Sequence, residues 1–243
     1  MVHTVIFAGG TGTRMSTSSI PKQFIEVDGI PIIIRTVEHF AKHPMVDDIV
    51  IVSIESGIEL MNRLLEDYKV PKVKSVIPGG ETGYESIHRG LLEVSKDAAP
   101  DDIVLICDGV RPIISEKTIT NCIELAREKG SAVPVVQCID SVLFSTDGKT
   151  CDSNYPRQQM FTTQAPQGYT MEKILWAHDQ VDAGRDADLT SSADLLISLG
   201  ETVNMFYGER DNIKVTTPED LHALRSHYYY EHYKNFAREE KEE

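Results

Sequence analysis

Short runs of β-branched and apolar residues alternate with stretches of helical spacing through the first half of the chain, and this rhythm restricts the fold more than any other feature. The runs are Val2 to Ala8, Ile49 to Ile54, Val73 to Ile77 and Ile103 to Ile106. Between them, Ile32 to Ala41, Ile58 to Tyr68 and Ser86 to Val94 read as helices. Such alternation implies βαβ units and a mostly parallel sheet with helices on both faces. The runs are apolar almost without interruption, as expected of strands covered on both sides.

A further helix is expected from Glu116 to Lys129, with Ser115 as N-cap and Gly130 at its end, ahead of a strand at Ala132 to Val136. The rhythm then breaks. From Cys138 to Gln164 the chain is polar, and Asp147-Gly148 marks a turn between extended pieces at Ser141 to Ser145 and Thr150 to Asn154. Residues 138–164 therefore read as a projecting β-arm. Helices near Met171 to Asp182 and Ser191 to Leu199, a strand at Thr202 to Phe206 and a last helix from Pro218 complete the body. The end, Glu239 to Glu243, reads as a charged tail. A chain of 243 residues, 41% of them hydrophobic, supports one core, so a single domain over 1–243 is expected.

Charge narrows the function. Lys and Arg total 24 against 38 Asp and Glu, and a net charge of -14 argues against a nucleic-acid partner. A small phosphorylated substrate stays compatible, because a few cations focused in one cleft outweigh distant surface charge. Cys107, Cys122, Cys138 and Cys151 form no CxxC pair, and the eight histidines show no metal-ligand spacing such as HExxH. No segment approaches the ~20 apolar residues of a membrane span, and the N-terminal run is too short for a signal segment. A cytoplasmic protein without membrane contact is the expectation.

The chemistry concentrates after the first strand, in Ala8-Gly9-Gly10-Thr11-Gly12-Thr13-Arg14-Met15 and, a few residues on, Pro21-Lys22-Gln23-Phe24. Glycines let backbone N–H groups approach phosphate oxygens, and Arg14 and Lys22 add cations where charge builds during phosphoryl transfer. The spacing is not the GxGxxG of a dinucleotide fold, and no Gly-Lys-Ser or Gly-Lys-Thr marks a Walker A loop. Asp108 ends a strand at the edge where parallel sheets place ligands, which suits Mg²⁺ bridging nucleotide phosphates; a plain strand-end aspartate is the rival reading. Arg111 reads either as a fork for an incoming phosphate or as half of a structural ion pair.

The loop and the Pro-Lys-Gln-Phe segment resemble those of the cytidylyltransferases that include methylerythritol-phosphate and ribitol-5-phosphate cytidylyltransferases. Four further segments match in order: Gly79-Gly80-Glu81 through Ser86, Asp108-Gly109-Val110-Arg111-Pro112, Gln164-Ala165-Pro166-Gln167, and Asp211-Asn212-Ile213-Lys214-Val215-Thr216. The resemblance implies a Rossmann-like sheet of the nucleotide-diphospho-sugar transferase type and transfer of CMP from CTP, with Mg²⁺, to a phosphorylated alcohol. It places the nucleotide on Ala8, Gly9, Gly10, Thr11, Gly12, Gly80, Glu81, Ser86 and Asp108, though Ser86 also reads as a simple helix cap. Lys214 would grip the second substrate's phosphate, a surface lysine being its bland reading, and Asp211 would face the metal or the alcohol.

By the same resemblance, Thr190 lies near the acceptor, Ser141 stands where the arm has threonine, and Arg157 completes the neighbour's site in a homodimer. Gly9-Gly10 and Val110-Arg111-Pro112 resemble the ribitol branch. Ser191-Ser192 stand where the methylerythritol branch has an acidic pair. A polyol phosphate, ribitol 5-phosphate foremost, is therefore the expected acceptor, with methylerythritol 4-phosphate as alternative. A sugar-1-phosphate nucleotidyltransferase using UTP or dTTP and a non-catalytic nucleotide-binding homologue are the remaining alternatives. The phosphate nucleophile is already ionised at neutral pH, so no His or Cys base is required.

Overall fold

The computed structural model describes residues 1–10, 20–181 and 191–239, with side chains as far as Tyr233. In chain order the elements are β1 (Val2–Ala8), β2 (Glu26–Val27), β3 (Ile30–Pro31), α1 (Ile32–Lys42), β4 (Asp48–Ser53), α2 (Ile58–Asp67), β5 (Val73–Pro78), α3 (Gly83–Ser95) and β6 (Ile103–Asp108). Then follow α4 (Glu116–Lys129), β7 (Ser131–Gln137), β8 (Leu143–Phe144), β9 (Ser153–Asn154), β10 (Phe161–Thr163), β11 (Gln167–Thr170), α5 (Met171–Asp179), α6 (Ser192–Ser198), β12 (Met205–Tyr207) and α7 (Pro218–Glu239).

β1 lies at the centre, parallel to β4 on one side and β6 on the other, and β5 extends the sheet beyond β4. The chain leaves β1 towards β4 but returns from β5 to β6 across β1. This reversal opens a crevice at the carboxyl ends of β1 and β6, where open α/β sheets bind ligands. Side chains alternate between the two faces: Ile6, Ile51 and Leu105 pack with α1, α2 and α4, while Val5, Val52 and Ile106 pack with α3, α5 and α6. Burial on both faces accounts for the unbroken apolar runs.

β11 inserts antiparallel between β6 and β7, a strand that its short, glycine-containing sequence does not announce. β10 continues along the same edge of β7, but Gln164 to Gln167 oppose only Val133 and Pro134, so the backbone bulges there. β12 takes the other edge of β7 in parallel.

Several expected boundaries shift. The third helix begins at Gly83 instead of Ser86 because Thr82 supplies the cap, accepting from Glu85 N at 3.0 Å. The strand expected at Thr202 to Phe206 pairs only over Met205–Tyr207. In the arm only β8 and β9 pair, and the Asp147 carboxylate organises a longer loop by accepting from Lys149 N and Thr150 N. The last part of the 138–164 stretch, β10, belongs to the central sheet. Ser115 caps α4 as expected, accepting from Thr118 N at 3.1 Å, and Gly130 ends it. The helix expected to reach Asp182 ends at Asp179, where Gln180 N turns back to Ala177 O; Asp182 itself and the tail beyond Glu239 lie outside the described residues.

Candidate active site

Two adjoining cavities occupy the crevice. The first, of about 410 Å³, is lined by Ala8, Gly9 and Gly10 at the end of β1, by Lys22, and by Gly80 to Gly83 and Ser86 at and just before the start of α3. Buried Gln23 donates from Nε2 to Ala8 O at 2.8 Å, which ties the Lys22–Phe24 turn to the end of β1 and brings Lys22 over the glycines. Ser86 is not the helix cap. Its hydroxyl donates to Thr82 O at 2.9 Å and accepts from Gly80 N at 3.1 Å, so it braces the turn that walls this cavity.

The second cavity, of about 250 Å³, is lined by Arg111, Gln164, Gln167, Ser191 and Ser192, with Phe7, Ile87 and Ile106 as an apolar wall. The bulge between β10 and β11 turns Gln164 and Gln167 towards this space. Gln167 Oε1 accepts from Tyr169 Oη at 2.8 Å and from Ala193 N at 3.2 Å, docking the Ser191–Ser192 backbone on the cavity rim.

Asp108 and Lys214 line both cavities and mark their junction. The Asp108 carboxylate receives Lys214 Nζ at 2.5 Å on one oxygen and Arg111 Nε at 2.8 Å on the other. Burial alone would raise this carboxyl, but the Arg111 guanidinium and the Lys214 ammonium outweigh it and hold Asp108 below its ordinary range. Arg111 Nη1 also donates to Asn212 O at 3.1 Å, and Asn212 Nδ2 donates to Ala165 O at 2.6 Å. Val215 N donates to Val110 O at 2.9 Å, which carries Lys214 to the end of β6. The result is two cations around one ionised carboxylate, between a glycine-lined cavity and a smaller, half-apolar one. Such a junction can hold two phosphorylated molecules with their phosphates facing each other.

Of the residues singled out from sequence, the fold gathers Ala8, Gly9, Gly10, Lys22, Gly80, Glu81, Ser86, Asp108, Arg111 and Lys214 at these cavities. Asp211 is exposed on the turn before Lys214 and lines neither cavity. Ser141 and Arg157 are exposed on the arm, where Arg157 Nη1 donates to Ile139 O at 3.0 Å. Thr11, Gly12, Arg14 and Thr190 lie outside the described residues. Sequence reasoning missed Gln23, Glu85, Gln164, Gln167 and Asn212 as site builders; all five stand inside quoted motifs, but their hydrogen-bond partners are mostly distant in sequence. No group of three or more His, Cys, Asp or Glu side chains gathers for a metal among the described residues. Among them, too, no helix is long and apolar enough to cross a membrane. A separate cavity of about 300 Å³ between α1 and α7, lined by Arg35, His39, His43 and Tyr228, holds none of the motif residues.

The model of the 2-C-methyl-D-erythritol 4-phosphate cytidylyltransferase (IspD) family matches residues 2–228. The chain is 37% identical over 224 residues to a ribitol-5-phosphate cytidylyltransferase of Streptococcus agalactiae serotype V, covering 92% of this chain and 93% of the relative. It is 34% identical over 217 residues to a 2-C-methyl-D-erythritol 4-phosphate cytidylyltransferase of Clostridium botulinum strain Langeland, covering 89% and 93%. In fold it is similar to the crystal structure of 4-diphosphocytidyl-2C-methyl-D-erythritol synthase from Anaerococcus prevotii, with a TM-score of 0.80 and 24% identity, covering 94% of this chain and 96% of that one.

Proposed function

Because the chain belongs to the IspD family of CTP-dependent cytidylyltransferases, we propose that it transfers CMP from CTP to ribitol 5-phosphate. The observation that carries this reading is the junction at Asp108 and Lys214, where a glycine-lined cavity meets one lined by Arg111 and hydroxyl side chains. The triphosphate lies along Gly9, Gly10 and Lys22, with Arg14 as a further cation. The acceptor's phosphate sits against Arg111 and Lys214. Its ionised oxygen attacks the α-phosphorus in line, forming a P–O bond as the α–β bridge breaks, and pyrophosphate leaves with the electron pair. No general base is needed because the nucleophile is already deprotonated, so the protein's work is positioning and charge stabilisation.

Asp108 fits a hard divalent cation of the Mg²⁺ kind, which binds through one or two carboxylates plus substrate phosphates. Bound there, such an ion neutralises charge on the phosphates. The neutral Ser191–Ser192 pair and the 37% identity to a protein named for ribitol 5-phosphate favour the polyol over methylerythritol 4-phosphate. The arm exposes Leu143, Phe144 and Tyr155, which suits a homodimer in which Ser141 and Arg157 of one copy reach the acceptor site of the other.

Pyrophosphate release with Mg²⁺ tests this, crossing CTP, UTP, ATP and dTTP against ribitol 5-phosphate and methylerythritol 4-phosphate. Release with CTP and ribitol 5-phosphate alone is expected. Release with methylerythritol 4-phosphate instead would move the acceptor, and silence with ribitol 5-phosphate would sink the polyol reading.

A further inference from the structure

The last helix is tied to the turn that carries Arg111. Tyr228 Oη, on α7, donates to Pro112 O at 2.8 Å, and His39 Nε2, on α1, donates to the same carbonyl at 2.9 Å. A carbonyl only accepts, so His39 carries a proton on Nε2. On the other side of Arg111, Val110 O accepts from Val215 N at 2.9 Å. Arg111 therefore lies between two anchored carbonyls. Its side chain commits Nε to Asp108 and Nη1 to Asn212 O, while Nη2 has no hydrogen bond among the described residues.

The tyrosine is itself held. The Arg35 guanidinium carbon lies 4.0 Å over the centroid of its ring, and Arg35 Nη2 donates to Val27 O at 2.6 Å. One helical turn earlier, Leu224 is fully buried with Val110 and Val215. At its start, α7 is fastened to the segment that carries Lys214, because Asp220 Oδ2 accepts from Thr216 N at 2.7 Å and from Thr217 N at 2.8 Å. One helix thus places both cations, Lys214 through its first turn and Arg111 through Pro112.

We propose that Tyr228 is a positioning residue for the acceptor's phosphate, acting through the Pro112 carbonyl on Arg111. Tyr228 lines neither cavity of the crevice, and Arg111 lines only the second. With Nε fixed on Asp108, the guanidinium offers its remaining nitrogen in one direction, and a small swing of the backbone carries that nitrogen off the phosphate. The effect falls on the acceptor and leaves CTP aside.

This inference rests on Arg111 holding the acceptor's phosphate. The acceptor used is the one of ribitol 5-phosphate and methylerythritol 4-phosphate that wild type turns over, so an error in the acceptor shows before any variant is made. KM and kcat are measured for that acceptor and for CTP, each with the other saturating, in Tyr228→Phe, Arg111→Lys and the double variant, with a thermal melt of each. Phenylalanine keeps the ring against Arg35 and removes the donor, and His39 still satisfies the carbonyl. Tyr228→Phe is expected to raise the acceptor KM by roughly three- to tenfold, with the KM for CTP within about twofold of wild type and the melting temperature almost unchanged. Arg111→Lys is expected to raise the acceptor KM further, and adding Tyr228→Phe to it should change little, because the tyrosine acts through that arginine. His39→Leu removes the other donor to Pro112 O, is expected to give the same pattern, and replaces Tyr228→Phe if that variant does not fold. A Tyr228→Phe variant that matches wild type, raises both KM values alike, or adds its full effect on top of Arg111→Lys overturns the proposal. An acceptor KM untouched by Arg111→Lys overturns the premise and the proposal with it.

Discussion

Lys214 Nζ lies 2.5 Å from Asp108 Oδ1, so a segment near the end of the chain closes onto the carboxyl end of β6. The lysine side chain is 42% exposed while the Asp108 side chain is only 9% exposed, and the Arg111 guanidinium on the other oxygen still compensates that carboxylate when the lysine is removed. The worth of the lysine lies in charge placed between two phosphorylated substrates. Lys214→Met is expected to lower kcat/KM by roughly two orders of magnitude or more, with the melting temperature almost unchanged. Steady-state pyrophosphate release and a thermal melt on the same preparation check this; a large fall in melting temperature with modest kinetic loss would make the pair structural.

Gly90 is where α3 meets the sheet most closely. A Cβ there would lie 2.4 Å from Val5 Cγ1 and 2.9 Å from Val52 Cγ2, both in the core. Alanine favours a helix interior by about 1 kcal/mol over glycine, yet overpacking costs typically about 1–3 kcal/mol. Gly90→Ala is therefore expected to destabilise the protein, read as a lower midpoint in urea. A variant as stable as wild type would show that α3 can slide.

The first half of the fold was legible because Ile6, Val50, Ile51 and Leu105 are apolar for a reason local to each strand, burial on both faces. β11 was not, because Gln167-Gly168-Tyr169-Thr170 becomes a strand through its neighbours β6 and β7 and not through its own propensity. Asp108, Arg111 and Lys214 were legible as reactive types at a sheet edge, but the ion-pair and phosphate-binding readings of Arg111 could not be separated without geometry. The structure shows the ion pair and places the same side chain on a cavity wall. For Ser86 the cap reading stood beside the nucleotide reading because a hydroxyl ahead of an apolar run looks alike whether it caps or braces; Thr82 does the capping.

Phe144 and Leu143 stand 52% and 68% exposed on the arm, more apolar surface than two lone strands of two residues can justify in isolation. Phe144→Glu is expected to convert a dimer into monomers in sedimentation velocity. The acceptor KM should rise while CTP affinity changes little, because only the acceptor side would lose Arg157 of a second copy. A monomeric wild type, or a variant that loses CTP affinity first, would contradict this assignment of the arm.

His178 sits in α5, stacked on Tyr84 at 4.6 Å between ring centroids and 5.2 Å from the His88 ring, with neither ring nitrogen hydrogen-bonded. Burial, aided by the neighbouring His88, pushes its pKa down from 6.5 to about 3. The folded chain therefore binds fewer protons at this site than the unfolded chain. Its contribution to stability is complete above pH 6.5 and is lost as pH falls towards 3, which amounts to about 2 kcal/mol between pH 7 and pH 5. His3 shifts the other way and His39 and His43 the same way, so wild type alone gives a sum over sites. His178→Phe keeps an aromatic ring against Tyr84 and removes one titration. Its urea stability relative to wild type should improve by about 2 kcal/mol on going from pH 7 to pH 5, while the other histidines cancel in the difference. Stability curves that run parallel from pH 7 to pH 5 would mean that His178 protonates freely in the folded protein.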